Sequence, residues 1–284
     1  MKTILITGAN SGIGKALALV VAKHPYQLVL LVRKESEIQR LSDEITASTS
    51  NQNVSVFACD VSRKSQIQSC CNAILQRHPT LDVLINNAAV YTETRTETPD
   101  KIELNVAVNV VAPFLLAQGL LPALEKASNP RVYNISSIGE KYGKADFEDI
   151  MSHSNYSGNA VYNKSKLLLT MLTYKCAELY ADKHIRFNCI HPGATKTRLV
   201  SDEDIAQMPL VLRAIFRMVK GFRKTPEQSA ETIYNLIANQ EFSTLTGKFF
   251  SNGTQIYSSA QSRDKHLIDK AWKYYVQITN QEST

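Results

Sequence analysis

Tyr162 and Lys166 stand four residues apart in Tyr162-Asn163-Lys164-Ser165-Lys166. On a helix that spacing puts both side chains on one face. A free phenol titrates near about 10 and is a poor base at neutral pH. A neighbouring ammonium favours the phenolate, so the pair can pass a proton to or from an alcohol or carbonyl oxygen. The alternative is a plain amphipathic helix face. Far upstream, Thr7-Gly8-Ala9-Asn10-Ser11-Gly12-Ile13-Gly14 forms a glycine-rich turn. Glycines let the backbone approach phosphate oxygens, and a helix start adds free N–H groups and a positive dipole end. Gly8, Asn10, Ser11, Gly12, Ile13 and Gly14 are therefore candidate pyrophosphate contacts. Their spacing is G-x-x-x-G-x-G, not the commoner G-x-G-x-x-G, and a purely structural turn is the alternative. Read together, the two motifs point to hydride chemistry with a nicotinamide cofactor.

Arg33 bears on which cofactor. It follows the apolar run Gln27–Val32, and Lys34 comes next. In dinucleotide folds the end of the second strand faces the adenosine ribose, where an acid would bind the 2′-hydroxyl and repel a 2′-phosphate. A guanidinium instead pairs with phosphate and stacks on adenine. This position predicts NADP(H) in preference to NAD(H). A solvated surface arginine is the alternative.

The elements that must hold these residues alternate along the chain. Lys2–Thr7 reads as a strand entering the turn, and apolar Ala16, Leu17, Leu19, Val20 and Val21 as a helix that Pro25 ends. Gln27–Val32 is continuously apolar, as a strand covered on both faces should be. Val54–Ala58 reads as a strand, Ser65–Gln76 as a helix and Leu81–Ile85 as a strand. A long helix over Lys101–Lys126 is expected to bend near Pro113 or Pro122. Arg131–Ile135 is the next strand, Gly158–Tyr180 a helix and Ile185–Ile190 a strand. Thr225-Pro226-Glu227-Gln228 is a capping signature opening a helix to about Ala238. Lys248–Phe250 reads as the last strand and Asp264–Gln277 as a terminal helix. This alternation predicts a Rossmann-type, doubly wound parallel sheet in three α/β/α layers. No repeat, low-complexity stretch or linker divides residues 1–284, so one domain is expected.

Composition narrows the class. The 284 residues are 44% apolar, and no run of about 18 apolar residues predicts a membrane-spanning helix. The first strand starts almost at Met1, which reads as no signal peptide. The five cysteines (Cys59, Cys70, Cys71, Cys176 and Cys189) lack metal-like spacing, so no metal site is expected and a reducing compartment is. The net charge of +6 suits an anionic ligand such as NADP or a balanced solvated surface. No base-reading motif points to nucleic acid.

The ordered set resembles the short-chain dehydrogenase/reductase family over nearly the whole chain. It comprises Thr7–Gly14, Asp60-Val61, Asn86-Asn87-Ala88-Ala89, Asn109, Asn134-Ile135-Ser136-Ser137, Tyr162 to Lys166, and Pro192-Gly193 with Thr197. Tyr162 follows Ser137 by 25 residues, a long interval for the family. The intervening Gly143-Lys144-Ala145-Asp146-Phe147-Glu148-Asp149 resembles the retinol-dehydrogenase-like branch, as do Thr225–Gln228 and Gly247–Phe250. That branch mostly uses NADP(H) on lipophilic alcohols, aldehydes or ketones. The resemblance implies that Ser137, rather than Ser136, orients the substrate oxygen, that Tyr162 is the general acid/base and that Lys166 supports it and grips the nicotinamide ribose. Asn109 is implied to hold a helix kink and a water linking Lys166 to solvent. Asp60 and Val61 are implied on the adenine side, Asn87 at the ribose, and Pro192, Gly193 and Thr197 at the nicotinamide carboxamide. Ala89 replaces the usual Gly of that family motif, and its methyl is expected to tighten the turn. Homodimerisation through the Lys101–Lys126 and Gly158–Tyr180 helices is a further implication.

Residues of about 199–224 fall where the family places its substrate loop, and are expected to form a helical lid. Arg213, Arg217, Lys220 and Lys224 lie on one helical stripe, with Val211, Leu212, Ile215, Phe216, Met218, Val219 and Phe222 around the rest. Such a helix closes over a lipophilic substrate, touches an anionic membrane, or merely packs with its charges solvated. The membrane-anchoring N-terminal helix of some relatives is not seen, so the expected location is cytoplasmic, with peripheral membrane contact as the variant. The leading reading is an NADP(H)-dependent oxidoreductase of a small lipophilic alcohol/carbonyl pair. The alternatives are a non-catalytic NADP-binding interaction or redox-sensing protein, and an enzyme of the same fold that uses NAD for alcohol oxidation.

Overall fold

The computed structural model describes residues 1–195 and 223–279. The strands are β1 (Lys2–Thr7), β2 (Tyr26–Val32), β3 (Val54–Ala58), β4 (Val83–Asn86), β5 (Arg131–Ile135), β6 (Arg186–His191), β7 (Lys248–Ser251) and β8 (Thr254–Ile256). They form one sheet in the order β3-β2-β1-β4-β5-β6-β7-β8. β1 to β7 pair in parallel, and β8 returns antiparallel to β7. Described helices are α1 (Gly12–Ala22), α2 (Ile38–Thr49), α3 (Lys64–Arg77), α4 (Leu104–Val106), α5 (Ala112–Gly119), α6 (Leu121–Leu124), α7 (Gly158–Leu179), α8 (Pro226–Ala238) and α9 (Lys265–Thr279).

Alternate residues of each strand feed two cores. Leu5, Val29, Leu31 and Leu84 face α3, α5, α7 and α9. Ile4, Ile6, Leu28, Leu30 and Ile85 face α1, α2 and α8. Both faces are therefore apolar, which is why these strands read as unbroken hydrophobic runs. This is the expected three-layer Rossmann-type fold. The strand order reverses between β1 and β4, and ligands of such sheets bind outside the carboxyl ends at that point.

Three elements differ from the sequence reading. The helix expected over 101–126 starts at Leu104 and is interrupted twice. A π-helical segment, Ala107–Val111, precedes Pro113, and the chain breaks again at Leu120 ahead of Pro122. Proline has no N–H to give to the preceding turn, so neither position continues a regular helix. α2 was not anticipated; it buries only Leu41 and Ile45, one turn apart, leaving a largely polar sequence. β8 was also not anticipated. Its signal was Asn252-Gly253, with φ of 52° and 87°, the pair that two-residue hairpins favour.

The cap before α8 is as read: Gln228 N donates to Thr225 Oγ1 at 3.3 Å and Thr225 N to Gln228 Oε1 at 2.9 Å. α9 lies across α5 and α7. Trp272 meets Phe114 edge-on, Tyr275 OH donates to Leu168 O at 2.8 Å, and Lys175 pairs with Asp269 at 2.8 Å. The chain's own last helix thus covers helices through which the resemblance implies dimerisation. Among the described residues, no helix is long and apolar enough to cross a membrane.

Candidate active site

The glycine turn joins β1 to α1. Gly8 and Gly12 have φ of 66° and 53°, the left-handed region that favours glycine. Gly14 is required for another reason: a Cβ there would lie 2.2 Å from Gly8 O and 2.5 Å from Asn87 Nδ2. Asn87 is the staple of this turn. Its amide donates to Thr7 O at 2.9 Å and Gly8 O at 3.4 Å, while Asn87 N and Ala88 N both donate to Thr7 Oγ1 at 2.9 Å. Ser11 occupies the N-cap of α1 without a side-chain capping bond, and no acid stands in the first turn. Gly12, Ile13 and Gly14 therefore present backbone N–H groups at a helix start that suits an anion. Asn10, in the same turn, donates to Glu37 Oε1 at 2.7 Å.

Arg33 is exposed at the end of β2, lining a groove with Glu35, Phe57, Ser65 and Cys70. Glu37, which the sequence reading did not single out, also accepts Lys34 N at 3.2 Å. Arg33 thus shares its groove with Glu35, and the backbone of Lys34 is bonded by Glu37, although the strand end itself carries no acid. The Asp60 carboxylate accepts Ser62 N and Oγ at 3.0 and 2.7 Å, and Val61 packs on the core. Ala89 is not among the residues with positive φ, so its backbone is of a kind any side chain adopts.

The proton-handling residues converge at the carboxyl ends of β4 and β5. Ser136 points inward, 3.1 Å from Thr170 Oγ1, whereas Ser137 is half-buried and caps a 3₁₀ helix, Ile138–Tyr142, by accepting Gly139 N at 3.1 Å. The Ser137 hydroxyl faces Tyr162 closely enough to favour its phenolate. Lys166 is buried; its Nζ donates to Ile135 O at 3.0 Å and lies 5.6 Å from the Tyr162 ring centre. Asn109 sits in the π segment, accepting Val90 N at 2.8 Å and donating to Val90 O and Ser165 Oγ, each at 3.0 Å. Ser165 Oγ donates in turn to Tyr162 O at 2.7 Å. The expected helix distortion at Asn109 is therefore present, and it ties the strand-β4 loop to the turn of α7 that carries Tyr162.

In the protein without nicotinamide the phenol is held in its neutral form. Desolvation pushes Tyr162 up to about 12, only partly offset by the Ser137 hydroxyl. Burial also pushes Lys166 down to about 8. The ammonium is aimed at the Ile135 carbonyl, so it does not hold Tyr162 as phenolate, and the phenol is a proton donor at neutral pH. Lys164, between the two, anchors the long insert by donating to Ser152 Oγ at 2.6 Å and Asp149 O at 2.9 Å.

Tyr91 was missed by the sequence reading. Its ring lies 5.8 Å from that of Tyr162, and its hydroxyl donates to Glu93 Oε1 at 2.5 Å. Its position five residues past Asn86 was the only signal. Beyond β6, Pro192-Gly193 leads to Thr195, whose hydroxyl contacts Gly193 O at 3.0 Å and Ser229 Oγ at 2.7 Å. Neighbouring His191 is pushed down to about 4 by burial, Lys224 and Lys141. Thr197 and lid residues Leu199 to Phe222, including Arg213, Phe216, Arg217, Met218 and Lys220, lie outside the described residues. Lys224, the fourth cation of that stripe, donates to Thr232 Oγ1 at 3.2 Å. Among the described residues, no group of three His, Cys, Asp or Glu could hold a metal, and all five cysteines are buried and free.

Comparison with known proteins places this geometry. A family model described as short chain dehydrogenase matches residues 2–207. Retinol dehydrogenase 14 of Mus musculus is 31% identical over 283 residues, spanning 95% of this chain and 84% of that protein. An uncharacterised protein from Mycobacterium paratuberculosis superposes with a TM-score of 0.77 at 23% identity, covering 99% of this chain and 94% of that one. NADPH-bound carbonyl reductase from chicken fatty liver gives a TM-score of 0.67 at 23% identity, covering 90% and 98%.

Two predictions follow from the geometry. Gly14→Ala must open the turn, because a methyl has no room beside Gly8 O. NADPH affinity, read by its fluorescence on titration, should fall at least about tenfold, or about 1.4 kcal/mol. Undiminished affinity would separate this turn from cofactor binding. Lys166→Met tests the buried cation. Because Lys166 titrates near 8 when folded against an ordinary 10.5, the unfolded chain binds the extra proton between those values. The parent should gain stability relative to the Met variant as pH rises from about 8 to 10.5, followed by urea unfolding. A pH-independent difference would show that the lysine is not desolvated.

Proposed function

The chain belongs to the short-chain dehydrogenase family, and from that premise we propose that it is an NADP(H)-dependent oxidoreductase of lipophilic alcohols and carbonyls. The observation that carries the reading is the convergence of Ser137, Tyr162 and Lys166 beside a turn from which Gly14 excludes any side chain. That cradle fits a dinucleotide: Gly8, Gly12, Ile13 and Gly14 would take the pyrophosphate, Arg33 the 2′-phosphate, Asp60 and Val61 the adenine side, and Lys166 the nicotinamide ribose. Bound there, the nicotinamide supplies or accepts the hydride.

The chain's own residues handle the rest. The Ser137 hydroxyl holds the substrate oxygen beside Tyr162. Tyr162, protonated at neutral pH, gives its proton to a carbonyl oxygen as that oxygen gains charge. Where the cofactor pool is reduced NADPH, carbonyl reduction is the favoured direction. Lys166 and the Asn109–Ser165 pair fix the position of Tyr162 and the path by which it is reprotonated. Tyr91 screens the phenol on one side. A lipophilic substrate is supported by the retinol dehydrogenase relatives and by the apolar residues of 211–222. Peripheral membrane contact through the same segment is a secondary proposal; Lys224 contributes less to it, being held by Thr232. A binding protein without turnover has no use for a serine hydroxyl facing Tyr162 beside a buried lysine.

Tyr162→Phe retains the ring and removes the proton. Assayed with NADPH against retinal, medium- and long-chain aldehydes and steroid ketones, its turnover should drop at least about a hundredfold, the scale of general acid catalysis. NADPH affinity should stay within a few-fold. A Phe variant with parental turnover would take Tyr162 out of this role. Arg33→Asp addresses the cofactor. Loss of a charge-assisted phosphate contact costs about 1.5–3 kcal/mol, so kcat/KM for NADPH should fall roughly ten- to a hundredfold relative to NADH. A constant ratio would place 2′-phosphate recognition elsewhere, or show that none exists.

A further inference from the structure

Ser137 is carried by a short loop, and the structure shows what holds that loop. The 3₁₀ helix Ile138–Tyr142 is pressed on α7 immediately after Tyr162. Cβ atoms at Gly139 and Gly143 would lie 2.4 Å from Asn163 Oδ1 and 2.6 Å from Asn163 O. On its other side the loop meets the segment that follows β8. Glu140 is wholly buried, and its carboxylate accepts Ser259 N at 2.8 Å and Ser259 Oγ at 2.6 Å. Two residues on, Gln261 clasps the end of the loop, accepting Ala145 N at 2.8 Å and donating to Gly143 O at 3.3 Å. The clasp is braced in turn. Ser262 N donates to Ser259 Oγ at 3.2 Å, Ser262 Oγ to Ser258 Oγ at 2.8 Å, and Ser258 Oγ pairs with Tyr174 OH of α7 at 2.6 Å.

A buried carboxylate is costly unless its oxygens are satisfied, and here both are committed to one residue more than a hundred positions away. Packing alone would be served by an apolar side chain. An acid instead fixes distance and direction, because two donors converge on one carboxylate. Between Asn163 on one side and Ser259 and Gln261 on the other, the loop has no room to rotate, and Ser137 is its first residue.

We propose that Glu140, held by Ser259 of the segment after β8, is a positioning residue for the Ser137 hydroxyl. This rests on the reading of Ser137 and Tyr162 given above. Glu140 touches neither substrate nor cofactor; it acts through Ser137. The turnover of this enzyme is thereby coupled to the docking of a segment that lies after the last parallel strand.

The test is a double-mutant cycle with NADPH and the best carbonyl substrate of the panel. Glu140→Ala should lower kcat about tenfold or more, with NADPH affinity within about twofold, and Glu140→Gln should recover most of it, because an amide can accept Ser259 N–H and donate to Ser259 Oγ. In a Ser137→Ala background, Glu140→Ala should cost almost nothing further, since the group it positions is gone. An equal loss in both backgrounds, or unchanged kcat in the single variant, overturns the proposal. If Glu140→Ala does not fold, Ser259→Ala replaces it in the same cycle and should show a smaller effect in the same direction, lost when Ser137 is absent. Tyr162→Phe runs in parallel. Full turnover by that variant and by Ser137→Ala would sink the catalytic reading itself. Their inactivity beside a parental Glu140→Ala would sink only the positioning role.

Discussion

The contact between Lys166 and the Ile135 carbonyl, 3.0 Å long and closed to solvent, fixes the centre of this molecule. It joins α7 to the end of β5 at one register. Everything that handles the proton lies within a turn or two of that point. Ser137 is two residues beyond Ile135, and Tyr162 is one turn before Lys166. A buried ammonium with so few partners is not a stabilising device, and its depressed affinity for the proton records the cost of burial. The fold retains it because α7 is held from several directions. Asn109 and Ser165 hold it near Tyr162, Lys164 holds it through the insert, and α9 covers its outer face.

The same centre sets the surroundings of the phenol. Tyr162 is half-buried beside Tyr91, so its charged form is disfavoured even with a lysine nearby. Proximity on a helix face does not by itself set an electrostatic interaction. What matters is where the cation is aimed and how much solvent either group keeps. Here the ammonium is aimed at a main-chain carbonyl, and the hydroxyl that favours phenolate belongs to Ser137.

The two halves of the site are joined by the topology. Reversal of strand order between β1 and β4 brings Asn87 beside the glycine turn, where its amide holds Thr7 and Gly8. Gly14 must be glycine because these partners converge on the space a side chain would take. Arg33 and Lys34 approach from β2, but Glu37 folds back to Asn10 and brings negative charge to the same edge.

The sequence by itself determined the layered fold, most strand positions and the residues that meet at the site. Apolar strands buried on both faces, capping signals and the paired motifs are local or periodic patterns, and such patterns are written in neighbouring residues. It also located β3 and β5 to the residue, since their flanking turns are sharp. The tertiary structure alone decided the rest. α2 is mostly polar, so its two buried residues gave little period to read, and Val90 as the partner of Asn109 is known only from the folded chain. Only the folded chain supplies Thr170 as the inward partner of Ser136. Glu140 looked like one more charge on a loop; only the approach of Ser259, a segment from the far end of the chain, made it a buried partner. Interactions between residues so far apart leave no spacing in a single sequence, because their geometry exists only after the sheet has formed.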